Sequence, residues 1–226
     1  MTRRFWVTGA SHGVGLALVG QLLASGHQVA ASGRDSQELD SLGQQHGARL
    51  LRLPAPLSQA NQRLLAKWGA LDSLIINAGT CDYLPDALGD GEVFEQIISS
   101  NLLATQECLA GALPLLAKGE KPQVMAILSR YSALQLFEPN QPLSGGNSLP
   151  KWLSEQRNAL HALGIDLTVV APQSLKNPVS SVQAIPQPWT AQSAAHELLA
   201  RLDQRQPDLV LEVLDPSELW PLPENS

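Results

Sequence analysis

Short apolar runs alternate with amphipathic stretches from one end of the chain to the other, the order that βαβ units feeding a parallel sheet produce. Arg4–Thr8 reads as a first strand. Apolar Val14, Leu16, Leu18, Val19, Leu22 and Leu23 predict a helix over 14–24 that stops at Gly26. Gln28–Ser32 is a second strand, followed by a polar helix near 35–45. A third strand is expected at 49–53 and a third helix at 59–68. Leu71–Asn77 gives a fourth strand, and the longest helix should cover about 92–116. Fifth and sixth strands fall at 124–129 and 165–171, with a helix over about 148–163 between them. Thr190 is placed to cap a last helix reaching Leu202, and 209–214 makes a seventh strand.

Proline and glycine gather at 136–150 and 172–189. These read as loops at strand carboxyl ends, the edge where doubly wound sheets bind ligands. No shift of composition marks a linker and no internal repeat is found, so 1–226 is expected to be one domain with a C-terminal tail over about 215–226. Hydrophobic residues at 44% and charged residues at 16% exclude a disordered or collagen-like chain. A net charge of −6 argues against a nucleic-acid binder that works by neutralising phosphates. No apolar run reaches the roughly 18 residues that cross a bilayer, and the start at Met1-Thr-Arg-Arg leads straight into a strand without a cleavable apolar region. Cys81 and Cys108 are too few for a disulfide framework and lack metal-ligand spacing. A soluble cytoplasmic protein without a metal site, membrane or nucleic-acid partner is expected.

Thr8-Gly9-Ala-Ser-His-Gly13-Val-Gly15 joins the first strand to the first helix. Glycines permit a tight turn and close backbone approach, and the helix start beyond them offers free N–H groups to a pyrophosphate. A Gly-rich string is equally compatible with a purely structural turn; the strand before it and the helix after it favour the phosphate reading. Further on, Asn77-Ala78-Gly79 closes the fourth strand, Asn101 lies inside the long helix in Ser-Ser-Asn-Leu-Leu, Ser129 ends the fifth strand and Ala171-Pro172 follows the sixth.

Taken in this order, from about residue 4 to 180, these motifs resemble the short-chain dehydrogenase/reductase family. The resemblance implies an α/β fold: a single Rossmann-like doubly wound domain whose seven-stranded, mainly parallel sheet runs in the order 3-2-1-4-5-6-7. It also implies a nicotinamide dinucleotide held by Gly9, Ser11, His12, Gly13, Val14, Gly15, Asn77, Ala78, Gly79, Lys151, Pro172, Leu175 and Asn177. The helices carrying Asn101 and Lys151 usually pair between subunits in this family, so a homodimer or homotetramer is expected.

Which dinucleotide is read from Gly33-Arg34, just after the second strand. Members of the family that use NAD place an acid near this point to bind both ribose hydroxyls. Glycine followed by arginine is instead the pattern of NADP users, because a guanidinium can hold the adenosine 2′-phosphate. NADP(H) is the expected cofactor. His12 could add a donor to the same phosphate or simply face water. Where the family has an acidic residue after the third strand to meet the adenine amino group, this chain reads Leu53-Pro54-Ala55-Pro56. That loses one hydrogen bond, about 1 kcal/mol.

The family's chemistry uses a tyrosine, a lysine four residues later, a serine and the helix asparagine. The ammonium brings a phenol that titrates near 10 towards neutrality, so that it can pass a proton as hydride moves. By resemblance Asn101, Ser129 and Lys151 fill three of these places. The fourth is Asn147, in Asn-Ser-Leu-Pro-Lys151, whose amide neither releases nor accepts a proton usefully near pH 7. Pro150 belongs in a first helical turn, so this helix is expected to begin near Ser148. Tyr83 and Tyr131, the only two tyrosines, both belong to the loop edge of the sheet. Either could serve as a substitute acid or merely pack there.

Two functions follow. One is an NADP-dependent oxidoreductase on a small carbonyl or alcohol substrate with impaired or altered proton transfer. The other is a catalytically silent NADP(H)-binding sensor or scaffold of the same fold. A short Pro/Gln-rich loop at 178–189, with Val179, Val182, Ile185 and Trp189, suggests a small or open pocket.

Overall fold

The computed structural model describes residues 2–53, 57–77, 91–128, 149–172 and 190–211. Their elements run β1 (Arg4–Thr8), α1 (Gly13–Ala24), β2 (Gln28–Ser32), α2 (Gln37–His46), β3 (Leu50–Leu53), α3 (Leu57–Lys67) and β4 (Ser73–Ile76). They continue with α4 (Gly91–Leu116), β5 (Gln123–Ile127), α5 (Leu149–Ala162), β6 (Asp166–Pro172), α6 (Ala191–Leu202) and β7 (Asp208–Leu211). The strands form one sheet in the order β3-β2-β1-β4-β5-β6-β7, the expected order. Every strand pair among the described residues is parallel. Chain direction across the sheet reverses between β1 and β4, which puts the topological switch point at the carboxyl end of β1.

Each central strand buries both of its sides, and successive residues go to opposite faces. Trp6, Leu74, Ile76, Val124, Ala126, Leu167 and Val169 pack with Leu64, Leu109, Leu116 and Leu153, the face covered by α3, α4 and α5. Their neighbours Phe5, Val7, Ile75, Met125 and Val170 pack with Leu18, Leu22, Leu39 and Leu198, the face covered by α1, α2 and α6. This period-two division within continuous apolar runs produces three layers, helices–sheet–helices.

Local signals place the helix starts. Ser36 caps α2 by accepting from Leu39 N at 3.3 Å. Thr190 and Ser193 make a reciprocal capping box on α6, with Ser193 N donating to Thr190 Oγ1 at 3.1 Å and Thr190 N to Ser193 Oγ at 2.8 Å. Pro150 is the second residue of α5, where its missing N–H is one that no helix turn uses. α4 carries Pro114 inside its last turn and ends two residues later at Leu116. Cys108 is core, and burial pushes its thiol far above the ordinary value, leaving it inert.

The amino edge of the sheet is fastened by a carboxylate that the apolar pattern hides. Asp72, only 2% exposed, accepts from Arg4 N at 2.7 Å and Glu120 N at 2.8 Å. The Arg4 guanidinium stands 3.7 Å away. One side chain therefore joins the start of β1 to the turn before β5. Beside it Gly119 passes so close to Leu71 that an added Cβ would overlap the Leu71 carbonyl. Asp72→Ala should strip acceptors from two N–H groups and lower unfolding stability by about 3 kcal/mol. Asp72→Asn, which keeps one oxygen, should cost less; urea denaturation of the two variants measures the difference.

Candidate functional site

At the carboxyl end of β1 the chain turns through Gly9, whose φ of +60° suits glycine. A Cβ at Gly9 would overlap the Asn77 carbonyl oxygen and stand 2.8 Å from its carbon. At Gly15, on the first turn of α1, a Cβ would overlap the Gly9 carbonyl oxygen and lie 2.6 Å from Asn77 Nδ2. Asn77 ties these segments together: its N donates to Thr8 Oγ1 at 3.0 Å and its Nδ2 to the Gly9 carbonyl at 3.3 Å. Gly9 and Gly15 are thus packing glycines, and Asn77 frames the loop.

Gly13 differs. Its φ is +56°, and an added Cβ would meet open space. It begins α1, whose N-cap residue His12 is extended (φ −159°) and makes no side-chain cap hydrogen bond. No acidic residue sits in the first turn. Both other α-helices with a described N-cap, α2 and α6, have a cap side chain that accepts from a first-turn N–H. The α1 N-terminus therefore leaves the N–H groups of Gly13, Val14 and Gly15 and the positive end of its dipole without a side-chain cap, next to open space at Gly13, an arrangement that suits an anion.

The second wall comes from β2. Ala10 N donates to the Ser32 carbonyl at 3.1 Å, and the buried Trp6 indole donates to Ser32 Oγ at 3.0 Å. Ser11 Oγ donates to the Arg34 carbonyl at 2.6 Å. The Arg34 guanidinium, exposed, reaches back to His12, with Nη2 3.3 Å from Nε2. Gly9, Ser11, His12, Gly13, Val14, Gly15, Arg34 and Asn77 therefore lie together at the carboxyl ends of β1, β2 and β4. Trp6, Thr8 and Gly33 also build the site; Thr8 and Gly33 stand in the motifs that the sequence offers for it, and Trp6 does not. Trp6 reads only as a core residue until its partner Ser32 is in place.

Asn101 lies buried on α4, 6% exposed, and Lys151 is exposed in the first turn of α5. One turn beyond Asn101, Thr105 is 1% exposed, and its hydroxyl has no hydrogen-bond partner among the described residues. Pro172 ends β6, its backbone paired with Leu211. Ala78, Gly79, Tyr83, Ser129, Tyr131, Asn147, Leu175 and Asn177 lie outside the described residues, as do Cys81, the 178–189 loop and the tail after 211. Among the described residues no helix is long and apolar enough to cross a membrane.

Comparison with known proteins adds to this geometry. The family model described as short chain dehydrogenase matches residues 4–181. Over 118 residues the chain is 35% identical to cis-2,3-dihydrobiphenyl-2,3-diol dehydrogenase from Pseudomonas sp. (strain KKS102), covering 46% of this chain and 43% of that protein. The chain thus matches less than half the length of this curated relative. In structure it is similar to a short-chain dehydrogenase from Streptomyces avermitilis, with a TM-score of 0.72 and 17% identity, covering 94% of this chain and 89% of the other. It is also similar to a metagenomic short-chain oxidoreductase solved in complex with NADP, with a TM-score of 0.69 and 20% identity, covering 93% and 97%. At these identities the two structures attest the fold.

The two kinds of glycine should respond differently to substitution. Gly15→Val drives a side chain into the Gly9 carbonyl and should cost several kcal/mol of stability. Gly13→Val meets space and should cost only the left-handed backbone strain, about 1–2 kcal/mol. Thermal denaturation ranks the two, and both variants should fail to bind a dinucleotide.

Proposed function

Because the chain belongs to the short chain dehydrogenase family, we propose that it is an NADP(H)-dependent oxidoreductase acting on a small carbonyl or alcohol, with proton transfer weakened at its active site. The observation that carries this reading is the uncapped α1 N-terminus facing open space at Gly13, with Arg34 and His12 at its rim. These residues fit a phosphorylated dinucleotide. The N–H groups of Gly13, Val14 and Gly15 suit a pyrophosphate, and the Arg34 guanidinium suits a 2′-phosphate, with His12 as a second donor. The NADP complex of a metagenomic protein of the same fold supports the choice. A diol dehydrogenase among the relatives supports an alcohol or carbonyl as substrate class.

NADPH, when bound, supplies the hydride. The chain's own residues would do the rest. Lys151 would hold the nicotinamide ribose, Ser129 would donate to the substrate oxygen, and Asn101 would hold a water in the proton path. Pro172, Leu175 and Asn177 would border the nicotinamide, and Ala78 and Gly79 would extend the framing begun by Asn77. Asn147 stands where the family has its tyrosine. Its amide cannot deliver the proton, which leaves Tyr131 or Tyr83 as the remaining phenols. Pairing of α4 and α5 between copies into a homodimer or homotetramer, in the cytoplasm, completes the reading; Leu103 on α4 is 63% exposed.

A second reading, a silent NADP(H) sensor or scaffold, is favoured by one specific observation. Asn147 and the carboxylate-free Leu53-Pro54-Ala55-Pro56 stretch depart from the family together.

NADPH should bind about 10- to 150-fold more tightly than NADH, the range of one charge-assisted phosphate contact. Arg34→Ala should erase most of that gap in a fluorescence titration of both dinucleotides. Equal affinities that ignore Arg34→Ala would remove the NADP assignment.

Loss of a positioned general acid typically slows turnover about 10²- to 10⁴-fold. Wild-type reduction of generic aldehydes and diketones should therefore be very slow, and Asn147→Tyr should raise it in part. Brisk wild-type activity that disappears in Tyr131→Phe would instead identify a substitute acid. Inactivity of every variant with NADPH binding intact would favour the sensor.

A further inference from the structure

Gly33 has a φ outside the left-handed region, so its backbone conformation does not demand glycine. Space does. A Cβ there would overlap Ser11 Oγ and stand 3.1 Å from Ser11 N and 3.2 Å from Ala10 N. The hydroxyl cannot simply swing aside at no cost, because it donates to the Arg34 carbonyl at 2.6 Å. The backbone beneath is held too, by Ala10 N on the Ser32 carbonyl at 3.1 Å and the Trp6 indole on Ser32 Oγ at 3.0 Å. The phosphate loop and the end of β2 are therefore seated on each other across the one position that has no side chain.

We infer that Ser11 and Gly33 form a coupled pair that decides which dinucleotide the site accepts. Ser11 Oγ fills the space that a residue at position 33 would need, and it anchors the carbonyl of the residue whose guanidinium points at His12. The pair excludes an acid at 33 by volume, before any charge is considered. A carboxylate there would accept from both hydroxyls of an unphosphorylated ribose and repel a 2′-phosphate. Ser11 is on this account a positioning and specificity residue rather than a contact for the pyrophosphate alone. The inference rests on the proposed NADP(H) binding and deepens it: an exchange towards NAD(H) has to pass through the loop residue as well as position 33.

A double-mutant cycle of wild type, Ser11→Ala, Gly33→Asp and Ser11→Ala/Gly33→Asp tests it, with NADPH and NADH affinities and melting temperature measured on each. Gly33→Asp alone should melt several degrees below wild type, lose NADPH binding by more than about tenfold and gain nothing for NADH. The double variant should recover most of the melting loss and bind NADH about tenfold more tightly than wild type. Equal NADH affinity and equal melting of Gly33→Asp and the double variant, with wild type still preferring NADPH, would overturn the coupling and leave the cofactor reading intact. Wild type that binds neither dinucleotide would overturn the cofactor reading and the specificity role together. In that case the melting cycle would report only the steric fit of the two segments.

Discussion

Backbone lies directly on backbone where β1 meets α1. The Gly9 turn sits under the Asn77 carbonyl, and Gly15 sits against the Gly9 carbonyl, at distances that exclude a single methyl group. Asn77 closes the contact with two hydrogen bonds, one to Thr8 and one to the loop itself. Everything proposed for the site depends on this close approach. It brings the first turn of α1 down onto the sheet edge, so that the helix start faces the crevice at the switch point between β1 and β4.

That geometry has an electrostatic consequence. A helix start left without a side-chain cap and without acids in its first turn keeps its positive end uncompensated. The other capped starts, at Ser36 and Thr190, spend side-chain oxygens on their orphan N–H groups. A helix start left open in this way is free to take an anion in place of a side-chain cap. The rim of Arg34 and His12 adds further cationic and donor character on the same side. Across the rest of that neighbourhood, Arg52 is held by Asp35 and Asp40, which leaves Arg34 as the guanidinium turned towards the loop.

At the opposite edge of the sheet the same economy of contacts serves stability. Asp72 satisfies two backbone N–H groups from segments far apart in the chain, and Gly119 lets the turn after α4 lie against Leu71. The carboxyl edge is shaped by glycines, and the amino edge is bolted by a buried acid. The sheet between them is filled by an alternation of side chains that leaves neither face open.

The alternation of apolar and amphipathic runs determined the layers and the element types, because burial on both faces imposes it on every central strand. The motifs, through their order, also determined the family and the strand order. Element ends moved by a residue or two, as at α3 and β5, since the end of a ladder depends on a partner strand that local sequence does not name. What only the tertiary structure decided is which glycines face open space and which face packed chain. Gly9, Gly13, Gly15 and Gly33 look alike in sequence, yet Gly13 opens to space while the others are closed by Asn77, Gly9 and Ser11. The roles of Asp72, Trp6 and Ser11 were decided in the same way. Each acts on a partner at least 20 residues distant in the chain, Arg4, Ser32 and Arg34 respectively, and a hydrogen bond across that separation exists only once the strands have paired.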